Sequence, residues 1–334
     1  MMSTKVSVLG SGGWGIALAI LAYSKGHDVV LWSAFPQEVD ALLEKRENEK
    51  LLKGVKIPEE IVITNDIRVA DNADITIIAV PSFAVRETVA RLKYRNSGII
   101  VNVAKGFEKD TMMRLSDVIA SELPETPVVV LSGPSHAEEV AVGVPTTVVA
   151  ASVDPAAADT VQEMLSGSRF RIYTNTDIIG VEVGGALKNV IAVAAGIANG
   201  LKVGDNTRAA LVTRGLAEIA RLGTAMDAVS KTFMGLSGLG DLIVTCMSEH
   251  SRNNRFGNLV GSGVSVEEAL KTVGTVEGYY AVGIALELAR EYGVEMPITE
   301  ECYNILYKGT SAKEAIHNLM TRPGKSEEDE QAWI

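Results

Sequence analysis

Apolar residues in the first half of the chain fall in short runs separated by helical patterns. The runs are Val6–Leu9, Val29–Trp32, Ile61–Ile63, Ile75–Val80, Ile99–Val103, Val128–Ser132, Thr146–Ala151 and Arg171–Thr174. Several are apolar at successive positions instead of alternating, the mark of strands covered on both faces, as in a parallel sheet between helices. A helical period runs through Gly13–Ser24, Pro36–Glu47, Phe83–Leu92, Thr111–Glu122 and Ser135–Val142. Repeated β–α units of this kind predict a doubly wound α/β domain.

After Asp177 the strand signal stops. The remaining pattern is helical: Ile178–Asn199, Thr207–Leu222, Ser251–Val260, Val266–Leu270, Gly278–Glu291, Pro297–Lys308 and Ala312–Met320, with a glycine-rich break at Gly235–Gly240. The change of period predicts an α/β domain over residues 1–178 and an all-α domain over residues 179–334, with no Pro/Ser linker between them. The charged stretch Lys325–Gln331 reads as a solvated end.

Composition narrows the classes. A chain of 334 residues with 47% hydrophobic residues can bury two cores. Its net charge of −11 disfavours nonspecific nucleic-acid binding, while leaving room for a local basic pocket that takes an anionic small molecule. Cys246 and Cys302 form no CxxC, and the four histidines show no metal-ligand spacing, so neither a disulfide framework nor a metal site is expected. Met1–Thr4 leads into the first strand without the basic and apolar regions of a secretory leader. The longest apolar stretch, Val181–Ile197, is interrupted by Glu182, Lys188 and Asn189 and reads as a buried core helix instead of a membrane span. A soluble cytoplasmic protein is expected.

Gly10-Ser11-Gly12-Gly13-Trp14-Gly15 is a GxGxxG between a strand and a helix, with a second strand following. In that context Gly10 permits the tight turn, Gly12 lets backbone approach a pyrophosphate, and Gly15 lets helix and strand pack closely. The helix start then directs N–H groups at the phosphates. This predicts a bound NAD or NADP. The end of the second strand, Ser33-Ala34, carries neither the acid that favours NAD nor the arginine that favours NADP, and Asp28 precedes the strand.

Four further stretches are candidate site material, each with a plainer structural reading. Lys105-Gly106 follows a strand and either faces the ligand crevice or is a surface lysine. Ser132-Gly133-Pro134-Ser135-His136-Ala137-Glu138 has capping-box spacing at Ser135 and Glu138, so it is a capped helix start that also offers donors to a ligand. Lys188 shares a helix face with Gly184, Gly185, Ile191 and Ala192. It either snorkels, meets a counter-ion, or has its pKa depressed and serves as a general acid/base. Asn189 beside it could orient a substrate hydroxyl. Asp241, at the end of the glycine-rich break, is either a helix cap or the partner of Lys188. In His250-Ser251-Arg252-Asn253-Asn254-Arg255, Ser251 caps a helix and Arg252 suits phosphate oxygens, or is simply exposed.

Taken in order, these stretches resemble the bacterial-type NAD(P)-dependent glycerol-3-phosphate dehydrogenases. The matching residues are Gly10, Gly12, Gly15, Ala17 and Leu18; Lys105-Gly106; Ser132–Ser135; Glu182–Asn189; Gly204-Asp205-Asn206; Gly238–Asp241; His250–Asn253; and Val276-Glu277-Gly278. The resemblance implies a Rossmann domain followed by a helical domain similar to that of 6-phosphogluconate dehydrogenase. The implied reaction is the reversible reduction of dihydroxyacetone phosphate to sn-glycerol 3-phosphate, which supplies phospholipid synthesis. It further implies Lys188 as proton donor/acceptor. Lys105, Gly133, Ser135, Lys188, Asp241, Ser251, Arg252 and Asn253 would touch the substrate. The glycine turn with Gly13 and Trp14, together with Lys105, Ala137, Arg252 and Glu277, would line the cofactor. A homodimer is implied as well, for which the apolar helix Thr207–Leu222 offers a face. Three positions depart from the family pattern: Gly13 where Ser is frequent, Ala34 where Arg or His is frequent, and Asn254 where Arg is common. A hydroxy-acid dehydrogenase would have no use for the Ser251-Arg252-Asn253 phosphate site, and a nucleotide sensor without turnover no use for Lys188 with Asp241.

Overall fold

The computed structural model describes residues 4–71, 73–92 and 98–327. Met1–Ser3 of the amino-terminal stretch and the end of the charged tail, residues 328–331, lie outside the described residues. The described chain packs as two compact units. One comprises residues up to Glu108 with Met113–Ile178, the other Lys109–Met112 with Ile179 onward.

The first unit is built on one eight-stranded sheet: β1 (Lys5–Leu9), β2 (Asp28–Trp32), β3 (Val62–Thr64), β4 (Ile75–Ile78), β5 (Ile99–Asn102), β6 (Val128–Ser132), β7 (Thr146–Ala151) and β8 (Phe170–Asn175). Their spatial order is β3-β2-β1-β4-β5-β6-β7-β8. The chain runs outward from β1 in one direction and restarts at β4 in the other, which opens a crevice at the carboxyl ends of β1 and β4. Buried Val6, Val8, Leu31, Ile75, Ile77 and Val129 face α1 (Gly13–Ser24) and α2 (Pro36–Lys45). On the opposite face Leu9, Trp32, Ile78 and Ile100 meet α3 (Val85–Ala90) and α4 (Leu115–Glu122). This two-sided burial is why the strands are apolar at successive positions.

The first six strands are parallel, but β7 runs antiparallel to β6, with Ser132 opposite Val149, and β8 is parallel to β7. The sheet is thus mostly parallel, as a doubly wound domain requires, with one reversal of direction between β6 and β7. The connecting helix α5 (Ala137–Ala141) has five residues. It spans about 7–8 Å, too short to carry the chain back along a strand of roughly 16 Å. The chain therefore enters β7 from the carboxyl end of β6. The periodicity also missed α6 (Pro155–Leu165), which carries β7 to β8. Its start is well marked: Pro155 is at the first helical position and the Asp154 carboxylate accepts from Ala156 N at 3.0 Å. The expected helix over Thr111–Glu122 begins only at Leu115, because Phe107 and Arg114 pair as an isolated bridge. The expected Pro36–Glu47 helix stops at Lys45, where Arg46 turns left-handed at φ 50°.

The second unit is helical: α7 (Ile178–Gly200), α8 (Asp205–Ala225), α9 (Asp241–Met247), α10 (Arg252–Gly261), α11 (Val266–Val273), α12 (Glu277–Glu291), α13 (Pro297–Lys308) and α14 (Ala312–Met320). A short 3₁₀ turn, Ser230–Met234, and a single π turn, Leu236–Gly240, precede α9. α9 was hidden in the sequence by its adjacency to the glycine-rich break. α7 is the one helix among the described residues long and apolar enough to cross a membrane, and 89% of its apolar window is buried. It is the central core helix of this unit, surrounded by Phe256, Ala269, Val276, Val282 and Cys302.

Candidate active site

The site residues expected from sequence fall into two groups, one on each unit. On the first unit they gather at the carboxyl ends of β1, β5 and β6. Gly10 has φ +125°, and a Cβ there would lie 2.6 Å from the Ala79 backbone. A Cβ on Gly15 would meet Gly10 O at 1.9 Å, so only glycine lets α1 start this close to β1. At Gly12 a Cβ would meet nothing within 4 Å. The turn is therefore tight on its inner side and open where a pyrophosphate would approach the first N–H groups of α1. These residues fit a dinucleotide.

Gly13 has a different reason to be glycine. A Cβ there would sit 2.7 Å from Leu51 O, because the segment after α2 folds back over the turn, with Asn48 Nδ2 donating to Ser11 O at 3.3 Å. The absence of a serine is thus coupled to the path of this segment. Ala137, at the first position of α5, lies 3.6 Å from where the Gly13 Cβ would be, and Trp14 is half-buried against the same core.

Lys105 and Ser135 converge on one carbonyl. Lys105 Nζ donates to Gly133 O at 3.3 Å and Ser135 Oγ to the same oxygen at 2.9 Å. Gly133 can turn here because it adopts φ +135°. Lys105 is half-buried. The capping-box reading of Ser135 is corrected: α5 begins at Ala137 after a His136 N-cap that makes no side-chain cap bond. The Ser135 hydroxyl turns instead toward Gly133.

The second unit holds a buried ion pair. Lys188 lies in the middle of α7 and is 5% exposed; Asp241 is 1% exposed. Lys188 Nζ donates to Asp241 Oδ1 at 2.6 Å and to Thr245 Oγ1 at 2.6 Å. Thr245 Oγ1 in turn donates to Asp241 O at 2.6 Å. Asp241 is the first residue of α9 and Gly240 its N-cap, so the carboxylate does not cap a helix but meets the lysine. Gly184, one turn before Lys188, brings them together: a Cβ there would stand 3.0 Å from Ser237 O, so the π turn leading to Asp241 rests directly on α7. Thr245 was not anticipated. The signal was available as the i, i+4 spacing from Asp241, but only on a helix that the sequence pattern did not reveal.

Beside the pair, α10 and α12 start against α7. Ser251 Oγ accepts from Asn254 N at 3.2 Å and is the expected cap of α10. Arg252, the next residue, is exposed. Asn253 Nδ2 donates to Asn189 Oδ1 at 2.9 Å, and Gly278 N donates to Asn253 Oδ1 at 2.9 Å. Asn189, considered above as a substrate ligand, is buried and holds Asn253 instead. The same relay fixes the start of α12, where Glu277 is the first residue. Close backbone approach completes the placement: a Cβ on Gly196 would lie 2.1 Å from Asn254 O, and one on Gly257 2.1 Å from Val193 O. Asn254 is turned inward, donating to Cys246 O at 2.7 Å. Its difference from the family pattern therefore does not remove a cation from the exposed side where Arg252 stands. Burial pushes the Cys246 thiol up to about 12, so it is an inert neighbour of the pair.

A groove of about 520 Å³ in this unit, lined by Ala198, Leu211, Ile298, Ile305, Ile316 and Leu319 among others, contains none of these residues.

Models of the N-terminal and C-terminal domains of NAD-dependent glycerol-3-phosphate dehydrogenase match residues 5–158 and 177–317. The chain is 50% identical over 333 residues to the glycerol-3-phosphate dehydrogenase (NAD(P)+) of Desulfitobacterium hafniense, covering 99% of this chain and 95% of that protein. It is 51% identical over 336 residues to that of Moorella thermoacetica, covering 99% and 100%. The crystal structure of glycerol-3-phosphate dehydrogenase from Coxiella burnetii superposes with a TM-score of 0.92 at 39% identity, covering 96% of this chain and 99% of that one.

Proposed function

The chain belongs to the NAD-dependent glycerol-3-phosphate dehydrogenase family, and we propose on that basis that it interconverts dihydroxyacetone phosphate and sn-glycerol 3-phosphate with Lys188 as the proton donor/acceptor. The observation that carries the residue assignment is the buried Lys188 Nζ, held 2.6 Å from both Asp241 Oδ1 and Thr245 Oγ1.

NAD(P)H, held on the first unit by the turn Gly10–Gly15 with Trp14, Lys105 and Ala137, supplies the hydride when bound. As the ketone carbon is reduced, its oxygen gains negative charge and takes a proton from the Lys188 ammonium. Asp241 and Thr245 fix the direction of the Nζ–H bonds, so the donor needs little reorganisation at the moment of transfer. In the oxidative direction the same amine accepts the hydroxyl proton. Arg252 and the N–H groups at the start of α10 suit the substrate phosphate, so that binding energy remote from the carbonyl positions it. Asn253 is held for substrate contact by Asn189, and Glu277, the first residue of α12, is assigned to the cofactor by the family likeness. Lys105, Gly133, Ser135 and Ser251 complete the proposed polar set.

The physiological product would be glycerol phosphate for phospholipid synthesis in the cytoplasm. A homodimer through α8 is part of the same reading, supported by the exposure of much of its first half, including Ala209 and Ala210. The activity is tested by following NADH and NADPH absorbance after adding dihydroxyacetone phosphate, with a 2-oxo acid as comparison. Oxidation with the phosphate ketone alone is the expected result. Oxidation only with the 2-oxo acid would replace the assignment by a hydroxy-acid dehydrogenase, and binding without any oxidation by a nucleotide sensor.

A further inference from the structure

β2 ends at Trp32, whose carbonyl accepts Gly10 N at 2.9 Å. The carboxyl end of β2 therefore abuts the turn that fits the pyrophosphate. In a dinucleotide fold the adenosine ribose lies at this strand end, where an acid accepts from the 2′-hydroxyl of NAD and a cation receives the 2′-phosphate of NADP. The strand end itself offers only Ser33 and Ala34. A charge nevertheless arrives there from the next helix. Glu38, in the first turn of α2, folds back so that Ser33 Oγ donates to its Oε2 at 2.5 Å. Ser33 is 2% exposed, whereas Glu38 is partly exposed. The buried hydroxyl thus pins one carboxylate oxygen and holds the charge at the strand end.

Two arginines of this unit are engaged with other groups. Arg68 forks onto the Asp66 carboxylate through Nε and Nη2. Arg91 stands over the Trp32 ring at 5.3 Å, and Trp32 packs with the side chains on the sheet face opposite α2. Ala34, exposed beside Ser33, contributes no charge.

We propose that Glu38 sets the cofactor choice of this chain: held by Ser33 at the end of β2, its carboxylate accepts from the ribose 2′-hydroxyl of NAD(H) and repels the 2′-phosphate of NADP(H). The acid that a dinucleotide fold ordinarily places on the strand is delivered here from the following helix. The attraction and the repulsion act on the same position, which is how a single charge discriminates two otherwise identical ligands. This inference rests on the dinucleotide reading above.

The test is a fluorescence titration of the full-length protein with NADH and, separately, NADPH, for wild type, Glu38→Gln and Glu38→Ala. The wild type is expected to bind NADH at least about tenfold more tightly. Glu38→Gln keeps an acceptor for Ser33 but loses the charge, and is expected to shrink the ratio by roughly tenfold, mainly by tightening NADPH. Glu38→Ala, which also loses the Ser33 link, is expected to shrink it as well. Equal or tighter NADPH binding by the wild type, or a ratio unchanged in Glu38→Gln, would overturn the proposal while leaving the dehydrogenase reading intact. Binding of neither cofactor by the wild type would overturn that reading itself and this proposal with it.

Discussion

Lys188 Nζ and Asp241 Oδ1 lie 2.6 Å apart with side chains 6% and 2% exposed, 53 residues apart in sequence. Removing one member of such a buried pair leaves the other's charge in a medium that solvates it poorly. Asp241→Asn is therefore expected to lower unfolding stability by about 3 kcal/mol or more. It should also reduce kcat, because the donor is no longer held in direction. Denaturant unfolding and steady-state kinetics on one preparation check both. Unchanged stability would mean that the lysine is solvated in some other way.

The relay from Asn189 through Asn253 to Gly278 N ties the starts of α10 and α12 to α7. Asn253→Ala removes both bonds. It is expected to raise the KM for dihydroxyacetone phosphate and for cofactor together, with a stability loss of about 1–2 kcal/mol from the unsatisfied groups. Titrating each ligand separately checks this, and a loss confined to stability would reduce Asn253 to a structural residue.

At Gly13 the backbone of Leu51 leaves no room for a side chain, since a Cβ would fall 2.7 Å from its carbonyl. Gly13→Ser is expected to displace the segment around Leu51. A destabilisation of about 1–3 kcal/mol follows, with weaker cofactor binding read by fluorescence titration. Tighter binding at unchanged stability would show that the segment yields freely.

Glu218, on α8, is 1% exposed and accepts from Ile298 N, Thr299 N and Thr299 Oγ1 at the start of α13. Burial pushes its carboxyl from the usual 4.5 up to about 7, against the pull of those donors. The folded protein then holds a proton across this interval that the unfolded chain has released. The resulting contribution is full below about 4.5 and is lost as the pH rises through about 7. It amounts to at most roughly 3 kcal/mol. Thermal unfolding of wild type and Glu218→Gln from acid to neutral pH should show a slope in the wild type that the variant lacks. Parallel curves would contradict it.

Much of this architecture is written in the sequence as a change of period. Successive apolar positions in Ile75–Ile78 and Val128–Ser132 reflect burial on both sheet faces, the nearly continuous apolar run of α7 reflects burial all round, and the mixed polarity of the helices after it reflects a single buried side. The direction of β7 is not written there, because a strand covered on both faces has the same pattern in either direction. The nucleotide turn is legible because its glycine spacing is itself a local pattern, with Gly15 required by Gly10 five residues away, although Gly10 and Gly13 are also held to distant backbone at Ala79 and Leu51. The Lys188 partner was open between a cap and an ion pair, since the choice depends on Gly184 admitting a turn from more than fifty residues away. Glu38 is not legible at the strand end, Ser33-Ala34, because it sits on the following helix and reaches Ser33 only through the fold.

The assignment of Lys188 is tested most directly by comparing wild type and Lys188→Ala for NADH oxidation by dihydroxyacetone phosphate, with NADH binding to both followed by fluorescence. The variant is expected to bind NADH as the wild type does and to lose at least about 10²-fold in kcat, the scale of a missing proton donor. A variant that binds NADH and turns over at the wild-type rate would contradict it.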